Sequence, residues 1–442
     1  MFNFKNNAIR DIAIMLVLAT LLCGVCACSP NKTEEVDTPI LECGDSAIPL
    51  SFFELLLSRM KGTLAASQND VDSDAFWSTK VEGSDLSYEE YFSAAVLESC
   101  KKYLCALAIF NEEGLTVPES VKAEIAEEIE FYVSLGYVGG GSIDKFNEII
   151  APFGVDSESL QAAYELEAIY DYVLAYLYGA DASLIASNVK EDYYKANYFR
   201  FKQILLPNFY YKYEVDSYGV EIYFDTESAK PLYDTEKGSY LYDEDGNRLK
   251  DKYGDPIYFG EDGKPIYDTE NGKRSVVLDG NGEGKKHYYT EDEIKARAAL
   301  AGEINASLEA GDTELFEKKM GEYNVSYGEE EAYPDGYYLS RIEAAQYNEY
   351  MVKMLEALED MEVGETALIE SEYGYHVIMK YELDDGKYAD GKYAEWFTGF
   401  NSSLINMLFE NKCKSVYADI RLNTENFAKA KTVKEIGANT DY

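Results

Sequence analysis

The chain has 442 residues, with 82 acidic and 40 basic side chains and a formal net charge of −42 at pH 7. Such an acidic surface repels nucleic acid and anionic phospholipid, so neither is expected as a partner. The 40 tyrosines help to bring the aromatic content to 14%, which excludes a generic disordered acidic chain. The length allows two or three domains with sizeable cores.

Residues 1–27 have the pattern of a secretory signal peptide. Lys5 and Arg10 provide positive charge, and the apolar run from Ile12 to Val25 is too short to span a bilayer comfortably. We therefore expect this segment to be removed during export.

The signal region ends in a small residue followed by a cysteine, Ala27-Cys28. This pattern resembles the bacterial lipobox, which implies that Cys28 carries a lipid. The chain is then expected at the extracytoplasmic face of a bacterial cell membrane, with the polar residues 28–42 as a tether. Signal cleavage without a lipid and modification of Cys26 are the alternatives.

The cysteines and histidines have no metal-ligand pattern. The chain holds two histidines, His287 and His376, and no cysteine pair has ligand spacing, so a histidine-rich metal site is excluded and no cofactor is expected. The cysteines beyond the signal region are Cys43, Cys100, Cys105 and Cys413. We expect buried free thiols there, although the sequence leaves their disulfide state open.

Residues 43–198 are predicted to form a short strand followed by helices, because apolar residues recur at three- and four-residue spacing. The segment Ser87-Tyr88-Glu89-Glu90 is a capping box, and the helix that it opens is expected to end near Gly114. The segment Thr116-Val117-Pro118-Glu119 is interpreted as a second capping box. Further helices are predicted over about 142–152, 157–180 and 183–197.

A strand is predicted over residues 198–207, after which the composition changes. Residues 209–289 contain Asp-Gly and Asn-Gly pairs flanked by tyrosines, such as Asp245-Gly246, which are typical of two-residue hairpin turns. We expect an acidic, tyrosine-rich β-hairpin insertion that is an exposed extension rather than a ligand site. No run matches an EF-hand loop, and the tyrosine motifs are too few for a repeat architecture.

Helices return after the insertion. A capping box at Thr290-Glu291-Asp292-Glu293 opens a helix that is expected to reach about Glu309. Further elements are predicted as helices near 314–323 and 343–360, a strand over 375–381, and a helix from about 395 to 430.

The stretch from Gly311 to Leu383 resembles a parvulin-type peptidyl-prolyl isomerase domain. The segment Met361-Glu362-Val363-Gly364-Glu365, followed by Gly374-Tyr375-His376-Val377-Ile378, is similar to the family's Gly-Glu turn and Gly-x-His-x-Ile strand. The strand at 198–207 then resembles the family's first strand, displaced by the insertion, and a βαααβαββ-like order results when the insertion is removed.

With its lipobox and helical flanks, the chain resembles PrsA-like foldases and, more distantly, SurA-like ones. The resemblance implies an α+β fold with a mostly helical chaperone body and a parvulin-like domain. The implied domains are a signal peptide at 1–27, an anchored linker at 28–42, a helical N-terminal domain at 43–198, a parvulin-like domain at 199–384 carrying the insertion at 209–289, and a C-terminal helical segment at 385–442 that packs on the N-terminal domain.

The resemblance also implies a set of site residues. His376 takes the place of one of two facing catalytic histidines, Gln203 replaces the other, and Ser326 falls near the position of a Cys or Asp beside the amide. The implied proline-binding residues are Tyr350, Met351 and Met354. Glutamine cannot share the proton balance of an imidazole pair, so activity is expected to be weak or lost while proline binding survives. A buried, purely structural His376 is the alternative.

Three functions remain open at this point. The first is a foldase that assists exported proteins as a peptidyl-prolyl cis-trans isomerase, and the second is a non-catalytic holdase chaperone. The third is a surface interaction lipoprotein whose hairpins bind a glycan or a protein. The expected partners of the first two are unfolded or newly exported polypeptides, with the membrane reached through the lipid anchor.

Overall fold

The computed structural model describes residues 38–68, 71, 73–81, 83–325 and 333–442. The expected signal peptide and Cys28 lie outside these residues. The described chain forms two compact units. The first comprises the described residues up to Tyr198 together with Leu339–Tyr347 and Leu383–Tyr442, and the second comprises the described residues within Phe199–Tyr338 and Asn348–Glu382.

The α-helices that the structure describes are α1 (Leu50–Ser67), α2 (Asp74–Ser78), α3 (Tyr88–Glu112), α4 (Glu119–Ser134), α5 (Ile143–Ile150), α6 (Ser157–Tyr178), α7 (Ser187–Asn197), α8 (Glu291–Ala306), α9 (Thr313–Tyr323), α10 (Glu349–Asp360), α11 (Phe400–Tyr417) and α12 (Thr424–Phe427). Short 3-10 helices cover Ala151–Phe153, Ala180–Ala182, Ala344–Gln346, Lys387–Ala389 and Gly391–Phe397.

The strands are β1 (Pro39–Cys43), β2 (Ser46–Pro49), β3 (Tyr198–Pro207), β4 (Phe209–Tyr211), β5 (Tyr223–Phe224), β6 (Ser239–Tyr240), β7 (Tyr258–Phe259), β8 (Lys273–Arg274), β9 (Lys286–Tyr288), β10 (Tyr337–Ser340), β11 (Thr366–Ser371), β12 (Gly374–Tyr381) and β13 (Arg421–Leu422). Helices and small antiparallel sheets therefore occur together, which confirms the class α+β. Among the described residues, no helix has the length and apolar character needed to cross a membrane.

The first unit is a helical body with a three-stranded sheet of order β13-β1-β2. Leu41 of β1 lies opposite Leu422 of β13, so a strand late in the chain pairs with the first one described. Phe409 and Cys413 of α11, both 0% exposed, join the same core as Phe52 of α1. Residues near both ends of the described chain thus build one hydrophobic core.

Helix starts in the sequence are set by local hydrogen bonds. The capping boxes of Ser87 with Glu90 and of Thr290 with Glu293 are confirmed, because each pair bonds reciprocally to the other's backbone. The capping box expected at Thr116 is wrong, because α4 begins after Pro118, whose side chain cannot cap the helix.

The second unit contains a four-stranded sheet of order β10-β3-β12-β11. One face of this sheet carries Ile204, Leu206, Val377 and Met379, which pack with Ala301 and Ile304 of α8 and Phe316 of α9. Side chains alternate along a strand, so the opposite face presents Gln203 and His376. Tyr350 of α10 stacks on His376 at that face.

Residues 209–289 form nested antiparallel pairs, β4 with β9, β5 with β8 and β6 with β7. The turns between them are built by aspartates. Asp216, Asp225, Asp234 and Asp243 recur every nine residues, and each Oδ1 accepts backbone N–H groups two and three or four residues later.

Two sequence interpretations of this segment need correction. The expected two-residue turn at Asp245-Gly246 is wrong, because only Gly246 has a positive φ, at 80°, and the turn begins at Asp243. The segment also has a short repeat of turns, which the tyrosine motifs do not reveal because the repeated residue is the aspartate.

Candidate functional site

The candidate site lies on the sheet face of the second unit that carries Gln203 and His376. In the β3–β12 register, Leu205 lies opposite His376 and Gln203 lies opposite Ile378. Gln203 and His376 therefore occupy diagonal positions on one face, within reach of a side-chain hydrogen bond. Two of the site residues expected from the sequence are thus neighbours.

Both ring nitrogens of His376 are hydrogen bonded. Nδ1 lies 2.8 Å from Gln203 Oε1, and Nε2 lies 2.7 Å from Ser371 Oγ. The amide oxygen can only accept, so Nδ1 carries the proton and Nε2 accepts from the Ser371 hydroxyl. Ser371 Oγ in turn accepts the backbone N–H of Tyr373 at 3.0 Å. This chain of bonds fixes one tautomer and orients the ring.

The imidazole of His376 is buried and neutral. It is 2% exposed, and burial lowers its pKa to about 4. With both nitrogens paired and almost no exposed surface, the ring has no donor available for a substrate amide in this arrangement.

Aromatic rings cover the histidine. The ring of Tyr350 stacks on His376 with centroids 5.8 Å apart and an angle of 11°, and Tyr373 meets Tyr350 edge-on at 5.1 Å. Tyr350 and Met351 are half-buried, whereas Met354 is 1% exposed. The role of Met354 in substrate binding stays a prediction, and its side chain contributes almost no surface in this arrangement.

Ser326 lies outside the described residues. The chain just before it is held to β3, since Asn324 Oδ1 accepts the Leu205 N–H at 2.6 Å and the Val325 N–H donates to Leu205 O at 3.2 Å. Leu205 lies opposite His376, so this attachment is made beside the candidate site.

Ser371 and Tyr373 were not identified from the sequence. Ser371 pairs with Gly374 across a tight β11–β12 turn, and this turn places its hydroxyl near His376. Gly374 has a φ of 140°, and a Cβ there would lie 2.3 Å from Leu206 O. A serine five residues before the histidine, combined with this glycine, was the available signal.

The order Ser371–His376–Gln203 resembles that of a nucleophile, a base and an orienting group. A base with a pKa near 4 removes a serine proton poorly at neutral pH, so covalent chemistry is not favoured. Within the described residues, no group of three or more His, Cys, Asp or Glu side chains is placed to hold a metal ion. The arrangement suits noncovalent binding beside aromatic rings.

The chain has a weak structural likeness to a known protein. No family model and no curated protein matches the chain. The crystal structure of PrsA from Bacillus subtilis is similar at 12% sequence identity, covering 81% of this chain and 94% of that chain, with a TM-score of 0.18. A TM-score this low does not establish a shared fold.

Proposed function

We propose that this chain is an extracytoplasmic foldase that assists exported proteins, with a parvulin-like second unit. The observation that carries the proposal is the second unit's sheet, of order β10-β3-β12-β11, with Gln203 and His376 bonded on adjacent strands. Without the insertion, the described elements follow the order β3-α8-α9-β10-α10-β11-β12, which has one helix fewer before β10 than the βαααβαββ-like order that the resemblance implies.

Prolyl isomerisation is a noncovalent reaction. An enzyme must lower a rotation barrier of roughly 18–20 kcal/mol by binding the twisted amide better than the planar one. That requires a polar donor near the amide, but the nitrogens of His376 are bound to Gln203 and Ser371. We infer that the second unit isomerises prolyl bonds slowly.

The domain boundaries belong to the same proposal. The tether at 28–42 holds a chaperone body made of residues 43–198 and 385–442, and residues 199–384 form the parvulin-like domain with its insertion at 209–289. The antiparallel pairing of β1 with β13 and the core shared by α1 and α11 support joining the two ends into one body.

A non-catalytic holdase is the second candidate function. The 2% exposure of His376 and the replacement of a histidine by Gln203 favour it. The surface-interaction reading has less support, since insertion tyrosines pack on one another: the rings of Tyr233 and Tyr267 stack at 5.0 Å and those of Tyr240 and Tyr258 lie 4.6 Å apart.

Chaperone function is tested by the aggregation of a chemically denatured exported protein, followed by light scattering with the full-length chain present. We expect scattering to fall as the chain approaches equimolar amounts. Unchanged scattering, with an inert protein of equal acidity as control, would rule the foldase out.

The lipid anchor is tested separately on Cys28. The wild-type chain is expected to enter the detergent phase of a Triton X-114 separation, and Cys28→Ala is expected to stay in the aqueous phase. Cys26→Ala is the matched control and should behave like wild type. Equal partitioning of Cys28→Ala and wild type would show that Cys28 bears no lipid.

A further inference from the structure

We propose that an exposed surface of the first unit, the α4–α5 patch, binds apolar, basic segments of unfolded polypeptides. The patch consists of Phe131, Tyr137 and Ile143. This inference rests on the proposed foldase function and assigns its client-binding surface.

The patch side chains are large, apolar and left in solvent. Phe131 is 58% exposed, Tyr137 84% and Ile143 50%. The same two helices already bury an inner face, with Ile125 and Ile129 on α4 and Phe146 and Ile150 on α5. The core therefore does not use the exposed side chains, and large exposed apolar side chains of this kind are typical of surfaces that bind other chains.

A glycine-rich loop holds the patch together. The N–H groups of Gly139 and Gly140 donate to Leu135 O at 2.9 and 2.7 Å, and that of Gly141 donates to Val133 O at 2.8 Å. At Gly139 a Cβ would lie 2.4 Å from Val133 O, so the loop needs glycine to fold this tightly onto the last turn of α4. The loop, which contains Tyr137, thus holds the start of α5 with Ile143 against the last turn of α4, which carries Phe131.

Carboxylates surround the apolar side chains. Residues 119–150 contain seven Asp or Glu and two lysines, and Lys122 already pairs with Glu119 at 2.5 Å. Glu124 and Glu127 precede Phe131 by seven and four residues and share its face of α4. An extended segment that alternates apolar residues with Lys or Arg satisfies both features.

The negative charge around the patch indicates which kind of partner binds there. A second copy of this chain would bring its own carboxylates against Glu124 and Glu127, and an anionic membrane would be repelled in the same way. A newly exported segment that is still unfolded exposes the apolar side chains that the patch accepts. The occupant that fits this patch is therefore a basic, apolar client segment.

The test measures the binding of two labelled fifteen-residue peptides to the full-length chain by fluorescence anisotropy. One peptide alternates leucine with lysine, and the other alternates leucine with glutamate. We expect the lysine peptide to bind at least about tenfold more tightly. The patch variant Phe131→Ser/Tyr137→Ser/Ile143→Ser is expected to bind it about tenfold more weakly.

Two further variants separate the contribution of the apolar patch side chains from that of the surrounding carboxylates. The control Tyr218→Ser/Tyr242→Ser/Leu278→Ser removes side chains that are 43%, 58% and 53% exposed on the insertion, and should bind like wild type. The variant Glu124→Gln/Glu127→Gln/Glu130→Gln keeps the apolar patch and is expected to reduce the preference for the lysine peptide about threefold or more.

The outcomes distinguish this inference from the foldase proposal. If wild type suppresses aggregation and the patch variant does so equally well, the proposed client binding by the patch is overturned, whereas the foldase proposal is supported. Absence of peptide binding by wild type also overturns the patch. A patch variant that changes only the oligomeric state by light scattering would assign the surface to a second copy. If the wild-type chain itself fails to suppress aggregation, the foldase proposal is overturned.

Discussion

The Nδ1–H of His376 donates to Gln203 Oε1 across the β3–β12 pair at 2.8 Å. Where the parvulin-like pattern implies a second imidazole, this chain has a side chain whose oxygen accepts and never titrates. The bond holds His376 in a single neutral tautomer, with Ser371 on its other nitrogen.

The pH dependence of stability follows from the buried His376. Its folded pKa of about 4 lies below the value of roughly 6.5 for an unfolded histidine. The unfolded state therefore takes up the proton first, and stability is lost as the pH falls from 6.5 to 4, by roughly 1.4 kcal/mol per pH unit. In urea unfolding across this range, wild type should lose more stability towards pH 4 than His376→Asn does, and an identical pH dependence of the two would contradict the prediction.

A carboxylate in place of Gln203 should restore titration to His376. In Gln203→Glu the carboxylate would accept from Nδ1–H and stabilise the imidazolium, so the pKa of His376 should rise well above 4. The measurement is the pH dependence of the histidine ring shifts in NMR spectra. Glu362→Gln, at an exposed turn, is the control. An unchanged His376 pKa would mean that the bond to residue 203 is absent in solution.

Asp171 of α6 destabilises the first unit at neutral pH. Burial, together with repulsion from Glu167, raises its pKa to about 7. The folded state then holds the proton that the unfolded state releases near pH 4, so stability falls as the pH rises from 4 to 7, by at most about 4 kcal/mol. Asp171→Asn should therefore be more stable than wild type at pH 8, with the gap closing towards pH 4. The exposed change Glu148→Gln should have no such pH-dependent effect.

The four described cysteines should differ in reactivity. Cys43 is half-buried, whereas Cys100, Cys105 and Cys413 are each 0% exposed. Iodoacetamide should therefore label Cys43 slowly in the folded chain, since burial and Asp419 raise the pKa of its thiol. Peptide mapping should find the other three labelled only after denaturation. Labelling of Cys100 in the folded chain would contradict the packing of α3.

What could be predicted from the sequence was mainly local. The capping boxes at Ser87 and Thr290 depend on residues three apart, so their helix starts were found. The turn at Asp243 was misplaced because the aspartate that builds it stands two residues before the Asp-Gly pair used as the signal.

The rest of the site depends on contacts across strands. Ser371 stands five residues before His376 in the sequence, and it is the β11–β12 turn that brings its hydroxyl to His376 Nε2. The burial of Met354 likewise follows from how α10 packs, which spacing within the helix does not specify.

The central proposal is that the second unit carries a prolyl isomerase site of low activity. It is tested by the isomerisation rate of a short proline peptide with the full-length chain, His376→Ala and Gln203→His. We predict slow isomerisation by wild type, none by His376→Ala, and a gain of about tenfold or more in Gln203→His. No activity in any of the three, or activity in wild type that survives His376→Ala unchanged, would contradict the claim.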